Sequence, residues 1–163
     1  MRNYILVGLI IYLTSCHNKT DEVVVTEYGW DKSIKSEGTF HSDIQITDSL
    51  IKYRITGDTS SIILWFPFDK PTTTDSIVYA WDMRMKLTSK TIYKFDGIES
   101  EVLRYQYKDG MDGDMTLFLD KVYGPILVRS DSWGGHIIFD KPKDPKRQLI
   151  NLIISDSLDF GGI

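Results

Sequence analysis

An intrachain disulfide is excluded at the outset, because the 163-residue chain holds a single cysteine, Cys16. No pair can close within the chain, so the fold must be held by its core and its hydrogen bonds. Histidine is nearly as scarce: His17, His41 and His136 lie far apart in sequence, which argues against a three-histidine metal site. Gly-x-Ser-x-Gly, His-Glu-x-x-His and phosphate-cradling glycine loops are all missing, so no familiar catalytic or nucleotide-binding motif offers itself. The formal charge of −4, with no long basic run, argues against nucleic acid as a partner. There is no internal repeat. The apolar run at residues 4–13 falls far short of the roughly 20 residues that span a bilayer.

What is present begins with that run. Arg2 precedes it and Leu13-Thr14-Ser15-Cys16 closes it, the order of a secretory signal: positive charge, apolar stretch, small residues. Leu13 three residues ahead of a cysteine resembles the lipobox of bacterial lipoproteins. The resemblance covers residues 1–22 and implies cleavage before Cys16, a thioether-linked diacylglycerol on its sulfur, and an address at the outer membrane of the cell envelope. Acylation would remove an odd thiol from an oxidising compartment. At about 0.8 kcal/mol per buried methylene, the acyl chains would anchor the protein to a membrane by themselves. Lys19 followed by Asp21 and Glu22 is similar to a surface-export tag of lipoproteins, interrupted by Thr20. The expected organisation is a signal peptide at 1–15, a lipidated Cys16 with a polar tether over 16–38, and a single β-rich domain over 39–163.

An aromatic content of 12% suits a sheet, where flat and β-branched side chains fit a pleated, half-buried surface. Short alternating segments dominate from residue 39 onward. Residues 39–47 read as an edge strand with Phe40, Ile44 and Ile46 on one face, and residues 50–55 alternate cleanly up to a turn at Gly57-Asp58. Residues 61–66 read as a strand buried on both faces and ended by Pro67. Residues 77–86 read as one strand that points Tyr79 and Trp81 to the core. Further strands fall at 89–95, 100–108, 115–119 and 136–140, residues 122–128 read as a turn feeding a strand that runs to Arg129, and turns lie at 109–114 and 132–135. Asp144-Pro145 then looks like a helix N-cap with proline at the first helical position, putting Leu149, Leu152 and Ile153 on one face. The β-branched Ile150, Ile153 and Ile154 argue for a strand instead; the helix is preferred. The fold class is mostly β: an antiparallel meander forming a curved sheet, a partly open barrel or a sandwich, with a short C-terminal helix.

Two segments invite chemistry. Asp109, Asp112 and Asp114 could offer oxygens to calcium, but their spacing departs from an EF-hand loop, and Asp with Gly is what a turn selects for backbone reasons. The turn is the preferred reading, and no metal or cofactor is expected. In Asp131-Ser132-Trp133-Gly134-Gly135-His136, Trp133 at a loop tip would stack on a sugar face, with Asp131 and His136 supplying polar contacts. The preferred reading is a glycine turn whose Trp133 folds back onto the core. A glycosidase-like carboxylate pair could be nominated almost anywhere among 23 acids, so it carries no weight. The expected function is that of a lipid-anchored, non-catalytic binding module whose partner is a glycan or an envelope protein. The alternative is a structural or immunity-type protein partner in the envelope, and a hydrolase ranks last.

Overall fold

Val23 and Val25 are buried while Glu22 is exposed and Val24 half-buried, the two-residue period of a strand with one face turned to a core. In the computed structural model, which describes residues 19–59, 62–108, 113–132, 134–141 and 145–156, the strands are β1 (Lys19–Tyr28), β2 (Ile34–Ile46), β3 (Leu50–Thr59), β4 (Ile62–Pro71) and β5 (Ile77–Ala80). They continue as β6 (Met83–Phe95), β7 (Ile98–Tyr107), β8 (Met115–Asp120), β9 (Gly124–Ser130) and β10 (His136–Asp140), followed by α1 (Lys146–Ser155). Each strand pairs antiparallel with its sequence neighbour, and β10 returns to pair with β1. The result is a closed up-and-down barrel, which resolves the expected meander in favour of full closure.

Closure corrects the reading of the N-terminal region. Residues 19–38, expected as tether, form β1 and the first part of β2. Nor is residues 39–47 an edge: β2 pairs with β1 on one side and β3 on the other, because a closed barrel has no edge.

The interior is filled by aromatic side chains. Phe139 meets Phe66 and Phe68 edge-on, with ring centroids 5.2 and 5.8 Å apart, and Trp81 meets the same two rings at 5.8 and 5.5 Å. Lys52, Arg54 and Thr56 of β3 point outward while Tyr53 and Ile55 are buried. An apolar interior beneath a polar wall is the inverse of a membrane-spanning barrel. No described helix is long and apolar enough to cross a membrane.

Several local expectations fail for identifiable reasons. Residues 77–86 are not one strand but a hairpin: Trp81 and Asp82, at φ 46° and 64°, form a two-residue turn, and Ala80 pairs with Met83. The turn puts Val78 opposite Met85 on the inner face and leaves Tyr79 41% exposed. Trp81 still reaches the core, and its contacts with Phe66 and Phe68 offset a backbone conformation unusual for so large a residue. Gly57-Asp58 is no turn. β3 runs through Gly57, which pairs with Leu64, and the glycine leaves room for the Phe40 ring, from which a Cβ would lie 2.3 Å. Pro67 does not end β4. It pairs with Arg54, while β5 engages β4 only at Phe68 and Asp69, so Pro67 lies beyond that ladder, where a missing N–H is tolerated.

A bulge between Leu87 and Ser89 reverses the parity of β6. Met85 faces inward, yet Tyr93 and Phe95 face outward and join Val102, Phe118, Leu127 and Ile138 in a second apolar cluster. Leu149, Ile150 and Ile153 of α1 cover it, so the helix expected at the C-terminus exists because the outer wall needs a lid. Lys146, on the same stripe, is buried and donates from Nζ to the Pro125 carbonyl at 2.9 Å. Pro145 occupies the N-cap; Asp144, expected there, lies outside the described residues.

Candidate functional site

An up-and-down meander sends alternate connections to the same end. The β1–β2, β3–β4, β5–β6, β7–β8 and β9–β10 links share one end, termed distal because β1 starts at the other, proximal end. Trp30 lies in the β1–β2 loop and Trp81 in the β5–β6 turn. Trp65 falls in the distal half of β4, opposite Thr56.

The proximal end carries a cluster of ion pairs. The β4–β5 link brings Asp75 onto three ammonium groups, Lys70 at 2.8 Å and Lys90 and Lys121 at 3.0 Å, and Lys121 also meets Glu101 at 2.7 Å. The hydrogen bond from Lys70, with those from Lys90 and Lys121, holds the Asp75 carboxyl far below the usual carboxylate range.

The distal end is open. A cleft of about 260 Å³ lies there among β1, β8, β9 and β10. Met115, Val128 and Ile137 give it an apolar lining that continues into the core. Glu27, Ser130 and Gly135 add polar edges. Glu27 follows Val23 and Val25 on the inward row, but past the core, where Ser36 Oγ donates to its Oε2 at 3.0 Å. Tyr28 and His136, paired across β1 and β10, stack with ring centroids 4.7 Å apart and planes 12° from parallel. Beside them the β1–β2 and β9–β10 loops touch: a Cβ on Gly134 would lie 3.5 Å from that of Trp30. Trp30 itself is 77% exposed.

Of the two described members of the expected ligand trio, His136 lines this cleft and Asp131 does not. Asp131 braces the loop instead, accepting from Arg129 Nε and from Thr116 Oγ1, each at 2.6 Å, while its N–H donates to the Asp114 carbonyl at 2.8 Å. Trp133 lies outside the described residues, as do Asp109, Asp112 and Cys16. No group of three or more His, Cys, Asp or Glu among the described residues is arranged to hold a metal ion. Glu27, Tyr28 and Trp30 lie in a segment whose polar start reads as a tether, so the sequence does not nominate them. The β-branched run Val23-Val24-Val25 was the signal that could have placed them in a strand.

Burial pushes the His136 imidazole below its ordinary range, and the charges of Arg129 and Lys32 add to the effect. At neutral pH the ring is therefore uncharged, and it stands stacked on Tyr28 at the edge of the cleft. An unfolded histidine takes its proton near pH 6.5, which the folded state resists. The stability due to neutral His136 is complete above that pH and is lost as pH falls below it. An NMR titration should place the His136 midpoint below 6.5. His136→Gln should flatten the decline in urea stability between about pH 7 and 5; an unchanged decline would assign it to other groups.

Chemically, the cleft combines an apolar lining, a carboxylate, a hydroxyl, a neutral imidazole stacked on a phenol, and an exposed indole nearby. That mixture suits stacking and oriented hydrogen bonding to a small ligand or a side chain. No protein-family model matches the chain, and no curated protein matches it in sequence.

Proposed function

We propose that the protein is a lipid-anchored envelope module that binds a glycan or peptide at the distal cleft. The observation that carries this reading is the cleft itself, an apolar hollow edged by Glu27, Ser130 and the Tyr28–His136 stack, with Trp30 exposed beside it. The lipobox-like Leu13-Thr14-Ser15-Cys16 supports the anchor, and it precedes β1 at the opposite end of the barrel. The outer membrane is the proposed location.

Amide NMR titrations with short peptides and with oligosaccharides test the binding reading. The expected shifts converge on Tyr28, Trp30, Ser130, Gly135 and His136. Trp30→Ala should weaken the best ligand about tenfold or more, since exposed indoles are frequent hot spots. Its exposure means that Tm should barely move. Silence across both panels, or shifts confined to the proximal end, would reject the cleft as the site.

A second reading, a structural or immunity-type protein partner, is favoured by Trp30 and Ile34, which are 77% and 57% exposed on the same hairpin. Such a partner would mask that hairpin in hydrogen exchange and leave the cleft residues unperturbed.

A further inference from the structure

The barrel begins almost at the lipobox-like cysteine. β1 starts at Lys19, so only His17 and Asn18 separate it from Cys16. Three peptide units at about 3.5 Å each reach about 10 Å at most. A lipid on Cys16 would therefore hold the start of β1 within about 10 Å of the lipidated residue's Cα, too close for the domain to stand off from the bilayer.

The proximal end has features suited to that position. β5 pairs with β6 only as far as Lys86, and β8 pairs with β7 only from Val102. The far part of the β6–β7 hairpin thus runs beyond the barrel as an arm, toward the end where β1 starts. Helix α1 stiffens it: Tyr93, Phe95 and Ile98 share the apolar cluster with Leu149 and Leu152. Gln148 also donates to Asp96, and the Tyr93 hydroxyl donates to Asp156 at 3.3 Å. On the arm's other face Ile92 is 61% exposed; Val122 in the β8–β9 turn and Ile46 at the end of β2 are 77% and 65% exposed. Aliphatic side chains set among lysines suit a headgroup layer, where carbon stems enter and ammonium groups stay wet.

We propose that the proximal end docks on the phospholipid headgroup layer through Ile92 of the arm, Val122 and Ile46, holding the distal cleft away from the membrane. This rests on the lipidation of Cys16. The contact is apolar rather than electrostatic: Lys90, Lys94 and Lys121 are each paired with Asp75, Glu99 or Glu101, so anionic lipid is not required. Docking accordingly persists in about 0.5 M salt, where surface charges are screened within a few ångströms.

The test uses the native lipoprotein reconstituted into phosphatidylcholine vesicles carrying a nitroxide on the headgroup. Fluorophores are attached at Val122→Cys, Ile92→Cys or the distal Ile34→Cys, all exposed sites; acylated Cys16 does not react. The expected result is several-fold stronger quenching at positions 122 and 92 than at 34, unchanged by salt. Protein that floats with the vesicles but is quenched equally at all three positions overturns docking while leaving the anchor intact. Protein that does not float and carries no acyl mass on Cys16 overturns the lipidation reading and docking together.

Discussion

Phe139→Ala is expected to destabilise the barrel by about 4 kcal/mol, the middle of the range for emptying a buried phenylalanine site. Phe139 is fully buried and stands edge-on to both Phe66 and Phe68. Removing the ring deletes its transfer free energy and both aromatic contacts together. Collapse into the space is hindered, because the surrounding side chains rise from a closed ladder whose strands cannot approach one another. In a domain of this size the loss corresponds to about 15 °C in Tm. Phe139→Leu, which keeps most of the volume, should cost about 1.5 kcal/mol. Urea unfolding of the two variants measures the difference. A loss under about 1 kcal/mol for Phe139→Ala would mean that the interior is not packed around this ring.

Asp120→Ala should cost about 3 kcal/mol, although Asp120 touches neither the cleft nor the aromatic centre. The residue is fully buried at the end of β8. Its Oδ1 accepts the N–H groups of Val122 and Tyr123, each at 2.7 Å, and its Oδ2 accepts the Ser100 hydroxyl. One carboxylate therefore sets the β8–β9 turn and ties it to β7. The turn in turn positions Gly124, at φ 77°, where a Cβ would lie 2.9 Å from the Tyr53 ring. Burial and the neighbouring Asp120 charge push the Tyr53 hydroxyl up to about 12. Alanine leaves three donors without this acceptor, one of them on buried Ser100. Asparagine keeps an oxygen for the turn and should cost only about 1 kcal/mol. A cycle with Ser100→Ala should show the two positions to be coupled. Equal losses for the alanine and asparagine variants would show that the carboxylate does not hold the turn.

Where sequence reading succeeded, the structure depended on short-range alternation. Leu103 and Tyr105 on β7, and Leu117 and Leu119 on β8, are buried on the faces that their two-residue period assigns. Where it failed, one residue of offset was at stake. Alternation over 77–86 looks the same for a straight strand as for a hairpin bent at Trp81-Asp82, yet the bend decides whether Val78 or Tyr79 is buried. The Leu87/Ser89 bulge likewise turns Tyr93 and Phe95 from the interior to the helix, and nothing in their own identities announces it.

The candidate site was legible only in part, through His136. Glu27 and Tyr28 become site residues because β10 returns to β1, a pairing between segments more than a hundred positions apart. Composition and periodicity alone determined that this chain would be an antiparallel β-protein without an intrachain disulfide, because those properties follow from residue type and from neighbours a few positions away; the choice of helix over strand for Lys146–Ser155 was made by the apolar outer wall that it covers. Closure of the barrel, the inward row at each bulge, and the meeting of Tyr28, Trp30 and His136 at the distal end were decided by tertiary structure. Only long-range pairing satisfies the backbone groups that an open sheet leaves at its two edges.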